Sequence, residues 1–176
     1  AGCGKSTVGA ALADALGWPL HSSDPVRKDL GGREEEGGGE RPGLYSREMS
    51  DKTYDALIST AVARGARRHS TILDATFGFP AYRARLREAL PPAGLPYLLI
   101  ELRASAGVRK QRLAGRSAAD AHGSEARVDN VDRIDANYRE PDSLEDARHR
   151  VIDAKQNPDA IVTEILDHLA ATQRSD

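Results

Sequence analysis

The sequence of 176 residues predicts an α/β domain of three layers (αβα), with helices on both faces of a parallel sheet. Three observations lead to this expectation. Short apolar runs alternate along the chain with longer segments of helical spacing. The run at residues 97–102 (YLLIEL) is nearly continuously apolar, as strands covered on both faces are. The length suits one compact domain, and without repeats or a second domain we expect a single unit over residues 1–176.

The first predicted helix follows a glycine-rich start. Val8, Leu12 and Leu16 fall on one helical face, and Gly17 with Pro19 ends the helix. This arrangement, a small-residue loop that opens a helix, is the context in which a phosphate-binding loop is expected.

The rest of the first half is predicted from apolar spacing and from the positions of glycine, proline and capping residues. The expected elements are a short strand at residues 19–22, a short helix at 24–30, a long helix capped by Ser46, a strand at 71–74 and a helix at 81–90. Residues 31–43 (GGREEEGGGERPG) are rich in glycine and charge, which predicts a mobile loop.

The second half continues the alternation of strands and helices. The expected elements are the strand at 97–102, a helix at 105–116, a polar loop at 117–127, a helix around Val131 and Ile134, a strand at 149–153 and a last helix from Pro158. Asn157 is the predicted cap of that last helix, since Pro158 is suited to the first helical position.

Composition excludes several classes of protein. Hydrophobic residues make up 39% and charged residues 30% of the chain, so a disordered or fibrous protein is not expected. The longest charge-free apolar stretch, residues 91–100, is too short to span a bilayer. The single cysteine excludes a disulfide framework, and nothing resembles a signal peptide, so we expect a cytoplasmic protein with no membrane partner.

Positive charge is concentrated in the middle of the chain. The net charge is −2, yet residues 64–116 carry 11 basic and 3 acidic side chains. We call residues 64–116 the basic block. It suits an anionic ligand and is compatible with nucleic acid. The alternative is a set of solvated, arginine-rich helix faces.

The opening residues match the end of the phosphate-binding pattern G-x-x-x-x-G-K-[ST]. In such a loop, backbone N–H groups bind phosphate oxygens, Lys5 reaches the outer phosphates and the Ser6 hydroxyl binds magnesium. The predicted nucleotide-binding residues are Gly2, Cys3, Gly4, Lys5, Ser6 and Thr7. The alternative is a chance G-K-S before an alanine-rich helix. Because the pattern's first glycine would precede Ala1, we expect a fragment that lacks the strand leading into this loop.

A carboxylate and a guanidinium follow the predicted strand at 19–22. Asp24 and Arg27 are three residues apart, which places both on one face of a helical turn. Asp24 could accept the proton of an attacking hydroxyl, while Arg27 holds an anionic or polyhydroxy acceptor. The alternative is that Asp24 caps the helix and Arg27 is its surface partner.

Two further positions could serve a nucleotide. Asp74 ends a predicted strand at the same edge of the sheet and could hold Mg²⁺ through water, or could instead cap the next turn. Arg112 and Arg116 are four residues apart on one helical face, where one could stack on the base and one could contact phosphates. Alternatively, the two arginines only complement the dipole of their helix.

The stretches GCGKST, HSSDPVRKDLGG, LYSREMSDKTYDAL, ILDATF and SEARVDN…YREPDSL together resemble the P-loop kinase superfamily, in particular AAA_33-type ATP-binding domains. The domains most similar are fused to aminoglycoside-phosphotransferase-like domains in bacteria. The resemblance implies a P-loop NTPase/kinase fold with ATP and Mg²⁺ as cofactors. It also implies a possible phosphotransferase-like domain upstream.

A more distant resemblance, to phage-type polynucleotide 5′-kinase, implies that Asp24 is the general base and that Arg27 clamps the acceptor. The resemblance to this enzyme and to adenylate-kinase-like enzymes also implies a lid at about residues 112–138, which carries Arg112 and Arg116. The sequence departs from this pattern at Pro25, which fixes the backbone beside the base. It also lacks the family's first strand, which is normally central in the sheet, so two strand edges would be exposed.

The leading hypothesis is therefore an ATP-dependent phosphotransferase whose catalytic residues are Lys5, Asp24 and Arg116. Its acceptor is a hydroxyl group, either on a small molecule or at the 5′ end of a polynucleotide. The alternative is an ATP-dependent switch or ATPase module that regulates a fused or partner domain without an acceptor. A third possibility is a decayed domain that only binds nucleotide.

Overall fold

The computed structural model describes residues 1–31, 45–115, 128, 130–141 and 148–172. Its elements are α1 (Lys5–Leu16), β1 (Leu20–Ser22), α2 (Ser23–Leu30), α3 (Arg47–Gly65), β2 (Ile72–Asp74), α4 (Pro80–Ala89), a 3-10 turn (Pro91–Ala93), β3 (Leu99–Arg103), α5 (Ala106–Ala114), α6 (Asn130–Asn137), β4 (His149–Asp153) and α7 (Pro158–Thr172). The sequence-based helices and strands are confirmed to within a few residues. The predicted loops at 31–43 and 117–127 lie, apart from residue 31, outside the described residues.

Capping side chains fix the starts of two helices as the sequence predicts. The Ser46 hydroxyl accepts a hydrogen bond from the Met49 amide at 3.1 Å. The Asn157 side chain accepts one from the Asp159 amide at 3.0 Å. Such bonds satisfy amides that have no partner within the first turn of a helix.

Pro25 does not interrupt α2. It is the third residue of the helix, within the first turn, where the amide of an ordinary residue would have no intrahelical partner. The helix therefore forms with Asp24 and Arg27 one turn apart, as the sequence analysis expects.

The four described strands form two parallel pairs. β1 pairs with β2, where Ser22 lies opposite Asp74, and β3 pairs with β4, where Arg103 lies opposite Asp153. Among the described residues, the predicted single sheet is thus divided into two.

Two hydrophobic clusters lie on different elements. The first joins α3 and α4 to the segment after β2 and includes Tyr54, Ile58, Phe77, Tyr82, Leu86 and Leu90. The second joins α1, α7 and β4 and includes Val8, Leu12, Ile152, Ile161, Val162 and Ile165. These clusters fix the helices whose ends surround the cavity described below. None of the helices among the described residues is both long and apolar enough to cross a membrane.

The expectation that β3 is covered on both faces is wrong. Leu99 to Leu102 are only half-buried and Arg103 is exposed. One face of the strand, with Ile100 and Leu102, packs against the second hydrophobic cluster. The other face carries Glu101 and Arg103, whose charges are paired with each other.

Candidate active site

The loop before α1 depends on two glycines with positive φ. Gly2 has φ +73° and Gly4, which caps α1, has φ +87°. A Cβ on Gly2 would lie 2.7 Å from the backbone oxygen of Arg109, so this position also requires the absence of a side chain. The loop therefore packs against α5, and the first turn of α1 lines the cavity, as expected for a phosphate-binding loop.

Three side chains meet at the carboxyl ends of β1 and β2. The Ser6 hydroxyl donates a hydrogen bond to Asp74 Oδ2 at 2.7 Å, and the Ser22 hydroxyl donates to the same oxygen at 3.3 Å. The parallel register that places Ser22 opposite Asp74 brings the carboxylate to the first turn of α1. Hydroxyl and carboxylate oxygens are the donors that Mg²⁺ prefers, so the residues present fit a magnesium ion.

A cavity of about 660 Å³ extends along this edge of the molecule. Its walls come from the residues 1–8, from the segments that follow β1, β2 and β4, and from α3, α5, α6 and α7. Every described residue that the sequence analysis names as a site residue lines it: Gly2, Cys3, Gly4, Lys5, Ser6, Thr7, Asp24, Arg27, Asp74 and Arg112. The volume is typical of small-molecule sites.

One end of the cavity, which we call the α2 end, is formed by Asp24, Arg27, Tyr45 and Tyr54. Arg27 is only 7% exposed. Its Nη1 donates a hydrogen bond to the Ser50 hydroxyl at 3.1 Å, and its guanidinium lies 5.0 Å from the centre of the Tyr45 ring. The hydrogen bond and the contact with the aromatic ring help to orient the guanidinium at this end of the cavity.

Tyr54 forms a rigid wall of the α2 end. Its ring stacks on Tyr82 with centroids 3.8 Å apart, and its hydroxyl accepts a hydrogen bond from the Phe77 amide at 3.1 Å. Burial raises the pKa of the Tyr54 hydroxyl to about 12, although the charge of Arg27 opposes this shift. The hydroxyl is therefore neutral at physiological pH and serves the site as a fixed polar surface.

The other end, which we call the β4 end, is formed by Arg112, Ala154, Gln156, Pro158 and Ile161. Arg112 was predicted to contact a nucleotide directly. In the structure its Nη2 donates a hydrogen bond to the carbonyl of Ala154 at 2.7 Å, which joins the end of α5 to the segment after β4. The partner Arg116 lies outside the described residues.

The described part of the predicted lid is attached to α5 by ion pairs. Arg109 donates to both carboxylate oxygens of Asp135, and Lys110 Nζ lies 2.8 Å from Asp132. The hydrogen bonds from Arg109 hold the pKa of Asp135 below its usual range, despite partial burial. These pairs place α6 beside α5, with Ile134 on the cavity wall.

Sequence reasoning missed several residues of the cavity. Tyr54 and Tyr45 line the cavity, and neither was predicted as a site residue. Ala154 and Gln156 follow the carboxyl end of β4, so the rule that identified Asp74 after β2 could also have found them. No local pattern distinguishes Tyr45, which reaches Arg27 only through the packing of α2 against α3.

Comparisons with known proteins identify the family and the fold. The sequence profile of the AAA_33 family, described as an AAA domain, matches residues 1–141. The fold is similar to that of a gluconokinase from Sinorhizobium meliloti 1021, with a TM-score of 0.67, 22% identity, and coverage of 99% of this chain and 90% of that one. A sugar kinase from Janibacter sp. HTCC2649 gives a TM-score of 0.69 at 21% identity, with 97% and 90% covered.

A third solved structure is the APS kinase CysC of Mycobacterium tuberculosis in complex with AMPPNP and APS. Its TM-score is 0.66 at 18% identity, with 96% of this chain and 92% of that chain covered. These likenesses confirm the P-loop kinase fold.

In sequence, this chain is 35% identical over 126 residues to uncharacterized proteins of Mycobacterium tuberculosis and Mycobacterium bovis. The match covers 70% of this chain and 24% of each relative, so the chain spans about a quarter of their length.

Proposed function

Because the chain belongs to the AAA_33 family, we propose that it is an ATP-dependent phosphotransferase, which transfers the γ-phosphate of ATP to a hydroxyl group of an acceptor. The observation that carries this proposal is the shared cavity. A carboxylate and a guanidinium, Asp24 and Arg27, line the same space as the loop at residues 1–7 and the Ser6–Asp74 pair. Simple nucleotide hydrolysis does not require such an acid–base pair beside the phosphates.

The loop and the first turn of α1 bind and orient the phosphates of ATP. Residues 4–7 line the cavity at the N-terminal, positive end of α1, and Lys5 would contribute a full positive charge to the outer phosphates. Arg116 is proposed to add a second charge during transfer. Charge that is fixed in place before the reaction stabilises the transferring phosphoryl group without reorganisation.

Asp24 receives the proton of the acceptor. As the acceptor oxygen forms its bond to the γ-phosphorus, the bond from that phosphorus to the β-bridging oxygen breaks, and ADP leaves with the electron pair. The acceptor proton passes to the Asp24 carboxylate, which returns it to solvent after release. Arg27 positions the acceptor from one helical turn away.

Ser6 and Asp74 are the residues that would hold Mg²⁺, the Ser6 hydroxyl directly and Asp74 through water. The bound ion would neutralise charge on the β- and γ-phosphates. Among the described residues, no cluster of three or more His, Cys, Asp or Glu side chains could hold a metal ion. The remaining ligands are therefore expected to be water and phosphate oxygens, as is usual for Mg²⁺.

The setting of this activity is part of the proposal. We infer a cytoplasmic location, in which the single buried cysteine, Cys3, stays reduced within the loop. A fused phosphotransferase-like domain is proposed as a partner. The curated relatives, of which this chain spans about a quarter, have room for such a domain.

The test is ADP release with Mg·ATP and a panel of hydroxylated acceptors, in the wild type and in Asp24→Asn. We expect acceptor-stimulated release, reduced by about 10²–10⁴-fold in the variant, while binding of a non-hydrolysable ATP analogue is unchanged. The matched control is Asp14→Asn on the exposed side of α1, which should retain full activity. ADP release that no acceptor stimulates and that Asp24→Asn leaves unchanged would instead support a nucleotide-dependent switch or ATPase.

A further inference from the structure

The residues that directly follow α6 are bound to the loop after β2. We call residues 138–140 the α6 anchor and residues 75–79 the β2 loop. The Arg139 amide donates a hydrogen bond to the carbonyl of Gly78 at 2.9 Å. A Cβ on Gly78 would lie 3.2 Å from Cδ2 of Tyr138, so the tyrosine ring packs directly on this glycine. The end of α6 is thus attached to the β2 loop by a backbone bond and by close packing.

The guanidinium of Arg83, on α4, connects the same two segments. Its Nη1 donates a hydrogen bond to the carbonyl of Phe77 at 2.8 Å, and its Nη2 donates to the carbonyl of Glu140 at 3.1 Å. The side chain is only 3% exposed, and a buried guanidinium is costly unless hydrogen bonds replace the water that it loses. Because its donors are held in one planar group, Arg83 can bind both segments at once, which the single ammonium group of a lysine is less suited to do.

Phe77, in the β2 loop, has a backbone conformation that needs such support. Its φ is +43°, a left-handed value that residues other than glycine adopt at a cost. Its amide donates to the Tyr54 hydroxyl at 3.1 Å and its carbonyl accepts from Arg83, so α3 and α4 both hold it. The preceding residue, Thr76, lines the cavity two residues after Asp74. Arg83 therefore fixes the backbone that follows the cavity wall at this point.

The α6 anchor leads to a second part of the cavity wall. α6 ends directly before the anchor, and its Ile134 lines the cavity. The carboxylates of Asp132 and Asp135 are bound by cations of α5. α6 is therefore held by α5 along its length and by the anchor at its end, and both supports determine where Ile134 lies.

We propose that Arg83 is a positioning residue for phosphoryl transfer, which holds the β2 loop and α6 in the relative placement that the reaction requires. This inference rests on the proposed phosphotransferase function. Arg83 is not one of the residues that line the cavity, so it acts through Thr76 and Ile134, which do. A misplacement of about 1 Å around the reacting atoms can cost about 100-fold in rate, and a displaced wall admits water to the γ-phosphate.

Arg83→Met tests this role, because it removes both hydrogen bonds and keeps a long side chain. With Mg·ATP and an acceptor that stimulates ADP release, kcat should fall by about 10- to 100-fold, while the KM for ATP changes by less than about 3-fold. The share of γ-phosphate transferred to water rather than to the acceptor should rise by about 3-fold or more. Arg83→Lys retains the charge without the planar pair of donors and should give intermediate values.

Leu86→Ala is the matched control for stability. Leu86 lies on the same helix and in the first hydrophobic cluster, so its truncation removes buried apolar contacts but neither hydrogen bond of Arg83. It should lower the Tm without changing the share of γ-phosphate that reaches water. A smaller folded fraction lowers transfer and hydrolysis in proportion, so this share separates a positioning role from a merely structural one. Thermal unfolding of every variant accompanies the kinetics.

A second variant tests the same contact if Arg83→Met does not fold. Gly78→Ala would place a Cβ 3.2 Å from Tyr138 and so would push the β2 loop away from the α6 anchor without altering Arg83. It should lower kcat by about 3-fold or more. Gly107→Ala, where a Cβ would meet no atom within 4 Å, is the matched control and should leave kcat unchanged.

Hydrogen exchange of the Arg139 amide reports on the anchor without turnover, because this amide is bound to Gly78. Exchange should be faster by about 10-fold or more in Arg83→Met and in Gly78→Ala, and unchanged in Gly107→Ala. Unchanged exchange in Arg83→Met would overturn the link on which the inference rests.

The kinetic outcomes separate this inference from the function on which it rests. Wild-type kcat and an unchanged share of hydrolysis in folded Arg83→Met and Gly78→Ala would overturn the positioning role and leave the phosphotransferase function standing. Absence of acceptor-stimulated ADP release in the wild type would instead overturn the phosphotransferase function, together with the role of Arg83 in it.

Discussion

The two parallel strand pairs use polar residues in opposite ways. In β1–β2, Ser22 and Asp74 occupy the last positions of their strands, and Asp74 reaches across to Ser6 in the first turn of α1. In β3–β4, Glu101 lies within its strand, 2.6 Å from Arg103 Nε and 2.9 Å from His149 Nε2. Asp74 at the end of β2 lines the cavity, whereas Glu101 within β3 is satisfied by its neighbours.

The electrostatics of the second pair support this distinction. Burial raises the pKa of Glu101, but hydrogen bonds from Arg103 and Tyr138 outweigh burial and hold the pKa below its usual value of 4.5. Burial and the adjacent Glu101 in turn raise the pKa of Tyr138 far above its usual value. At pH 7 the charged side chains of Glu101 and Arg103 and the neutral hydroxyl of Tyr138 therefore stabilise one another. We therefore propose that the residues at the ends of β1 and β2 serve the proposed reaction and that the charged residues of β3 and β4 stabilise the fold.

Among the substitutions that test this comparison, the largest effect is expected at Lys5, beside the Ser6–Asp74 hydrogen bond. Lys5→Ala removes a fixed charge from the outer phosphates and should lower acceptor-stimulated turnover by about 10²–10³-fold. Steady-state ADP release measures this loss, and Lys52→Ala on the exposed face of α3 is the control for removal of a lysine. Turnover that Lys5→Ala leaves intact would contradict the assignment of the loop to phosphate binding.

A carboxylate substitution in each strand pair sharpens the comparison directly. Asp74→Asn should raise the Mg²⁺ concentration needed for half-maximal activity by about 10–100-fold. The reason is that an amide binds the water on Mg²⁺ more weakly than a carboxylate does. Asp153→Asn, at the last position of β4, should not shift it, since this carboxylate bonds the Lys155 amide. A magnesium titration of both variants measures the difference. Equal shifts in the two variants would show that Asp74 has no special role in Mg²⁺ binding.

Glu101→Gln should destabilise the fold without changing kcat, because it removes the charge that Arg103 and Tyr138 bind. The expected loss in the free energy of unfolding is about 1–3 kcal/mol at pH 7. Since the pKa of Glu101 is lowered by folding, its contribution is present above pH 4.5 and is lost as the pH falls through the lower folded value. Thermal unfolding from pH 7 to pH 3 should show the two proteins converging in Tm. A constant difference over this range would contradict the role of the charge.

The smallest effect is expected outside both strand pairs, at the start of α3. Ser46→Ala removes the hydroxyl that accepts the Met49 amide and should cost about 1 kcal/mol of stability. Ser46→Asp retains an acceptor at the cap and should cost less. Thermal unfolding at pH 7 compares the three proteins, and an equal Tm for wild type and Ser46→Ala would show that this cap contributes nothing.

Local patterns were sufficient to predict the elements and the cavity residues Gly4 and Asp74. Gly4 and Gly17 mark the two ends of α1, and both have the positive φ that favours glycine. Asp74 was identified because the carboxyl ends of parallel strands meet at one edge, and its bond to Ser6 follows from that placement.

Residues that depend on packing between distant segments were not predictable. Tyr45 reaches Arg27 only because α2 packs on α3, and Arg112 reaches the carbonyl of Ala154 only because α5 ends beside β4. The half-buried state of β3 was also missed, because apolar content along a strand does not report which neighbours cover it. Pairings between segments far apart in sequence leave no local pattern.

The most direct test of this account follows the γ-phosphate itself. The protein is incubated with ATP labelled with ³²P at the γ position, Mg²⁺ and a hydroxylated acceptor, and the label is separated into organic product and inorganic phosphate. The account predicts label in the organic product, lost in Asp24→Asn and retained in Asp14→Asn. Label that appears only as inorganic phosphate, at a rate that Asp24→Asn does not change, would contradict it.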